Sequence, residues 1–161
     1  HVMTIEAPRK QLLLVAHAPS VNTRALVDAV LRGARHPDLT GVMVRHLPPL
    51  QATAEDVLAA DAIILGTTEN LGYMSGALKD FFDRVYYRVL EEKQGLPCAL
   101  YVRAGLDGTG TRRAVQSIVT GLRWTWVQEP LVLRGDWQEA FLAQAEELGM
   151  AMAAGLDAGI F

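Results

Sequence analysis

Residues 66–84 read GTTENLGYMSGALKDFFDR. The run leading into them, Ala62-Ile63-Ile64-Leu65-Gly66, is apolar enough for a strand buried on both faces. Small and polar residues follow, and then Leu78, Phe81, Phe82, Val85 and Val89 line one face of a 3.6-residue repeat. Ser75, just ahead of that pattern, is placed to cap the helix. A buried strand that opens into a loop and then enters a helix puts the loop at the carboxyl end of a parallel sheet. Open α/β sheets take their ligands there. Thr67, Thr68, Glu69, Asn70, Leu71, Gly72 and Tyr73 therefore form the leading candidate loop.

Working outward, residues 12–16 (LLLVA) read as a first buried strand. The turn His17-Ala18-Pro19-Ser20-Val21-Asn22-Thr23 follows, and a helix with Val27, Val30, Leu31 and Ala34 on one face runs to about Gly33. Residues 41–47 form a second strand, stopped by Pro48-Pro49. Thr53 with Asp56 three residues on is a near-match to a capping box and opens a short helix to Ala60. Beyond the opening stretch, residues 96–103 are a fourth strand, residues 104–110 a third loop, and residues 111–122 a helix. Residues 126–133 are the fifth strand, and residues 137–156 the last helix, with Phe141, Ala145, Leu148 and Met152 along one side. Strands alternating with helices predict an α/β domain spanning 1–161: a doubly wound five-stranded parallel sheet in the order 2-1-3-4-5, with helices on both faces and right-handed crossovers. In that order the loops after strands 1, 3 and 4 converge on the switch point between strands 1 and 3.

Composition narrows the function classes. Half of the 161 residues are hydrophobic and 20% are charged, so a large core is available and disorder is not expected. A net charge of −3 supplies no bulk field for nucleic acid or an anionic membrane. No apolar run approaches the roughly 20 residues of a membrane span. His1 and Val2 ahead of Met3 read as the remnant of an expression tag. The single cysteine, Cys98, sits in the apolar run PCALYV and reads as a small buried hydrophobe. The expectation is a cytoplasmic protein without disulfides.

The first loop offers Ser20, Asn22 and Thr23 ahead of a helix, a pattern suited to a phosphate dianion but equally to an ordinary N-cap. It has no Gly-Lys-Ser/Thr, and the turn contains no glycine, so neither a Walker loop nor a dinucleotide fingerprint is present. A phosphoacceptor receiver would need carboxylates where His17 and Gly66-Thr67-Thr68 stand, and no G-x-S-x-G elbow supports a hydrolase. His17 ends a core strand and reads as a local hydrogen-bonding residue rather than a base. His36 and His46 lie near turns apart from the three loops and show no metal spacing. No catalytic side chain and no metal ligand is assigned.

With these residues in view, the first loop resembles the phosphate loop of flavodoxin-like proteins, in which Ser, Asn and Thr surround the FMN phosphate. The second block is similar to the flavin loop and helix of NAD(P)H-dependent FMN reductases: Gly-Thr, a variable stretch, Gly72, and a helix carrying Lys79-x-Phe81-x-Asp83-Arg84. Thr68 stands where that family most often has proline. The resemblance covers the chain from Gln11 onward and implies an FMN-binding flavodoxin-like oxidoreductase that uses NADH or NADPH and reduces a quinone-like or flavin acceptor. It also implies a homodimer or homotetramer. His17, Ser20, Asn22, Thr23 and the residues from Thr67 to Tyr73 would hold the cofactor, together with Ala104, Gly105 and Gly108 of the third loop. Gly72, Gly105 and Gly108 would let the ring approach the backbone. Two other functions stay open: a flavodoxin-type electron carrier, and a flavin-free module on the same fold.

Overall fold

The computed structural model describes residues 8–161, so the tag-remnant reading of His1 and Val2 lies outside the described residues. The sheet is built from β1 (Lys10–Ala16), β2 (Val42–Leu47), β3 (Ala62–Asn70) and β5 (Pro97–Ala104), running in parallel in the order β2-β1-β3-β5. β6 (Thr125–Trp126) and β7 (Leu131–Arg134) both pair with β5 and complete the expected order at its outer edge. Five helices connect them: α1 (Val21–Ala34), α2 (Ala54–Leu58), α3 (Gly76–Val89), α4 (Thr109–Leu122) and α5 (Ala140–Asp157).

Alternation along the central strands divides the core in two. Leu13, Val15, Ile63, Leu65, Leu100 and Val102 face α2, α3 and α4, where they meet Val57, Phe81, Phe82, Val85 and Val115. Leu12, Leu14, Ile64, Ala99 and Tyr101 face α1 and α5, against Leu26, Val30, Leu148 and Met152. Both faces of the sheet are thus covered, which is why these strands read as unbroken apolar runs. Cys98 is fully buried, and burial pushes its thiol pKa up, out of the reactive range. Phe81 and Phe82 lie in the core and Tyr86 is half-buried against it beside Gly121, which leaves Tyr87 as the exposed aromatic of α3.

Three sequence expectations are corrected. The third strand does not stop at Gly66. Thr67 and Thr68 keep pairing with Val102 and Arg103, and Glu69 and Asn70 then pair antiparallel with β4 (Tyr73–Met74), so the expected loop is a β-hairpin. The fifth strand is broken: residues 127–130, ending in a proline that has no N–H to give, stand opposite only Ala99 and Leu100. The last helix begins at Ala140, not at Trp137. The Lys-x-Phe-x-Asp-Arg signature proves to be a brace for the fold. Lys79 pairs with Asp83 at 2.6 Å and Arg84 with Asp80 at 2.7 Å, one turn apart. Arg84 also donates to the carbonyls of Ala52 and Pro49, fixing α3 to the connection between β2 and α2.

α1 and α5 meet backbone to backbone. A Cβ on Gly33 would run into the Glu146 carbonyl oxygen, and one on Gly149 into that of Val30. Helix propensity favours alanine over glycine by about 1 kcal/mol, but forcing two helices apart in a packed core costs about 1–3 kcal/mol or more. The clash should therefore win at this crossing. Gly149→Ala is expected to destabilise the protein in urea by about 1–2 kcal/mol net of the propensity gain. Gly76→Ala, where an added Cβ meets nothing within 4 Å, should be neutral or stabilising.

Candidate functional site

α1 packs on one face of the sheet and α3 on the other, so the chain ends of β1 and β3 diverge and leave a crevice between them. In the first loop the His17 N–H donates to the Gly66 carbonyl at 3.0 Å, tying the two strand ends together. The His17 imidazole is half-buried, and desolvation holds its pKa below the ordinary 6.5, so the ring is neutral at pH 7. Ser20 and Thr23 form a reciprocal cap on α1. Thr23 N–H donates to Ser20 Oγ at 3.2 Å, Ser20 N–H donates to Thr23 Oγ1 at 2.9 Å, and the two hydroxyls lie 2.8 Å apart. Thr23 is buried, whereas Ser20 and Asn22 are exposed. The first turn of α1 holds no acidic residue, in contrast to α2, which carries Glu55 and Asp56. The amides of Val21 and Asn22 have no intrahelical partner, and no carboxylate answers them within that turn.

The second loop is the hairpin. Thr67 is buried, with its hydroxyl donating to Thr68 O and accepting the Ser75 N–H at 3.0 Å, while Ser75 Oγ caps α3 at Leu78 N. Thr67 therefore holds the hairpin to the helix. Thr68 bonds to the Asn70 side chain. Leu71 and Gly72 turn the hairpin with φ of 53° and 74°, the type I′ pattern that Asn-Gly serves best. Leucine in the left-handed region costs about 1–2 kcal/mol, and the Leu71 side chain is fully exposed. Tyr73 is exposed beside it.

In the third loop Ala104 is buried and Gly105 exposed. The expected close-approach glycines divide accordingly. A Cβ on Gly72 or Gly105 would meet nothing within 4 Å, so each has open space on its Cβ side. At Gly108 the space is filled by Val132 and Ala104, so this glycine is demanded by the fold, together with its φ of 74°. Glu69 joins the second loop to the third: its Oε2 accepts the Gly108 N–H at 2.6 Å, and Oε1 lies 3.4 Å from the Leu106 N–H.

Sequence reasoning missed three residues here. His46, expected apart from the loops, is paired with Leu14 in register, and its Nε2 lies 3.3 Å from the Ala16 carbonyl at the end of β1. Gly110 lets α4 approach the hairpin, because a Cβ there would strike the Gly72 carbonyl oxygen. Arg103 donates to the carbonyls of Ala104 and Leu133 at 2.7 and 3.1 Å and lies over Phe141, 5.1 Å from the ring centroid. A groove of about 520 Å³ runs between Leu131 and Leu148, Met150 and Ala151 of α5, but it contains none of the loop residues. The switch-point loops carry the polar chemistry, so the site is assigned to them.

A sequence model of the family described as NADPH-dependent FMN reductase matches residues 20–138. The chain belongs to that family. The matched segment includes the second and third loops whole and the first from Ser20, the cap of α1, onward. A flavodoxin of Aquifex aeolicus (strain VF5) is 33% identical over 112 residues, covering 70% of this chain and 60% of that protein's length. Among solved structures, a flavodoxin from the domain Archaea superposes with a TM-score of 0.76 at 18% identity, covering 91% of this chain and 98% of that one. The flavodoxin of Megasphaera elsdenii in its two-electron reduced form gives 0.73 at 16% identity, covering 89% and 98%. The architecture of this reductase-family chain is flavodoxin-like. No helix among the described residues is long and apolar enough to cross a membrane.

The hairpin turn gives a direct test of the geometry. Asparagine tolerates the left-handed conformation that leucine resists, and no packing would be lost at so exposed a position. Leu71→Asn is expected to raise stability by about 0.5–1 kcal/mol, read from the urea midpoint. A loss of stability would mean that the Leu71 side chain packs against the fold.

Proposed function

We propose that this chain binds FMN across the three loops and acts as an NAD(P)H-dependent oxidoreductase on a small-molecule acceptor, a quinone or a second flavin. The observation that carries the reading is the N-terminus of α1, an exposed serine cap and two amides without intrahelical partners in a turn free of carboxylates. That donor set suits a phosphate dianion, and the helix dipole favours it. The bare backbone at Gly72 and Gly105 suits a flat ring, and family membership supports the same cofactor. When bound, FMN supplies the two-electron chemistry itself.

The protein's part is to hold and orient. Ser20, Asn22 and the first-turn amides would take the phosphate. Thr23 would act indirectly, by fixing the Ser20 rotamer. Tyr73 and the backbone of Gly72 and Gly105 would border the ring, leaving one of its faces free for a nicotinamide. No catalytic side chain is assigned, because no titratable group among the loop residues is set up as an acid–base pair. We also assign a homodimer or homotetramer, with the exposed Tyr87 of α3 as the aromatic part of the contact.

The electron-carrier reading is favoured by the Aquifex aeolicus flavodoxin. Against it stand a net charge of only −3, weak for steering to a basic partner, and a single loop aromatic, Tyr73, where a carrier would sandwich the ring. Anaerobic mixing of FMN-loaded protein with NADH and with NADPH separates the two readings. Flavin bleaching within seconds, reversed by a quinone, is expected. No bleaching with either nicotinamide, but fast reduction by a reductase protein, would overturn the enzyme reading.

Ser20→Asp tests the phosphate subsite without removing the cap, since aspartate caps helices as well as serine. Stability should stay within about 0.5 kcal/mol. FMN affinity should fall at least about tenfold, a loss of 1.4 kcal/mol, because two anions then compete for one helix end. Riboflavin, which lacks the phosphate, should bind both proteins alike. Equal FMN affinities would move the phosphate elsewhere.

A further inference from the structure

α1, α2 and α3 cap themselves with Ser20, Thr53 and Ser75. α4 is built differently. Its N-cap is Gly108, which has no side chain to offer, and its first turn contains no acidic residue. The carboxylate that answers the Gly108 N–H comes from Glu69, 39 residues earlier, at 2.6 Å, with Leu106 N–H at 3.4 Å from the other oxygen. The same crossing is tightened at Gly110, where only a residue without a Cβ lets the Gly72 carbonyl approach. The hairpin therefore rests on the first turn of α4, and the second and third loops are held together by one charged side chain.

This arrangement has an electrostatic side. Backbone amides of the third loop lie in the part of the crevice assigned to the flavin ring, and free amides there would stabilise the negative charge of reduced flavin. Two of them are already engaged, and a carboxylate stands in their place. We infer that Glu69 is a positioning residue: it locks the hairpin to the third loop, and its charge lowers the reduction potential of FMN bound against them, making the cofactor a stronger donor to its acceptor. The inference about potential rests on the FMN reading above; the lock does not.

Glu69→Gln removes the charge at nearly constant shape and turns one amide-accepting oxygen into a donor. Glu69→Asp keeps the charge and shortens the reach by one methylene. In FMN-free protein, hydrogen exchange at the Gly108 and Leu106 amides should accelerate at least tenfold in both variants. In FMN-loaded protein, equilibrated with a redox dye of known potential, the ratio of reduced to oxidised flavin at fixed potential should rise about tenfold in the Gln variant. That corresponds to a shift of roughly 30 mV for a two-electron couple. The Asp variant should stay within a third of that shift. Unchanged exchange in both variants overturns the lock, and an unchanged potential in Glu69→Gln overturns the electrostatic role. If wild-type protein fails to bind FMN, the cofactor reading and the potential fall together, while the exchange measurement still decides the lock.

Discussion

β1 and β3 lie side by side in the middle of the sheet, yet the chain leaving β1 turns to one face and the chain leaving β3 to the other. Everything at the carboxyl end follows from that divergence. A sheet apolar on both faces must be covered on both, and the covering helices cannot also close the gap between the two strand ends. The loops there meet solvent and must satisfy their own backbone groups. They do so with short side chains: Ser20 with Thr23, Thr67 with Ser75, and Glu69 with the third loop. The wealth of hydroxyl, amide and carboxylate residues in these segments is first a consequence of topology and only then a resource for binding.

Local signals carried most of the fold. The runs LLLVA and AIILG show two-sided burial, α3 shows its period through Leu78, Phe81, Phe82, Val85 and Val89, and Thr53 with Asp56 forms the reciprocal cap that its spacing suggests. What escaped depends on pairing across distance. β3 extends through polar Thr67–Asn70 because Val102, Arg103 and β4 offer it partners, and the hairpin hides because its turn carries Leu71 in place of the usual Asn or Gly. Glu69 looks like one more polar loop residue until Gly108 is brought to it. His46 meets β1 only through strand register. The convergence of three loops was legible in the sequence. Which polar side chains are buried was not: Thr23 and Thr67 are buried in caps and anchors, while Ser20, although it caps α1, and Asn22 are exposed.

The helix ends around the crevice are not electrically alike. α1 presents its positive end without an acidic residue in its first turn, whereas the positive end of α4 is already matched by Glu69. A ligand with one anionic end and one flat, uncharged end meets attraction at the first loop and an occupied donor set at the third. The two helix ends thus differ through the backbone and Glu69. Arg103, a half-buried cation near the third loop, is spent on two carbonyls and the face of Phe141.

The interrupted outer strand has a further effect. A parallel sheet ending in a straight, fully paired strand would offer a row of free N–H and C=O groups to any other extended chain. Here residues 127–130 bulge away between β6 and β7, Pro130 lacks the N–H that a new neighbour would need, and the Glu129 side chain stands out into solvent. The edge is too short on either side of the break to template another strand. The break thereby blunts the outer edge of the sheet against pairing with another strand.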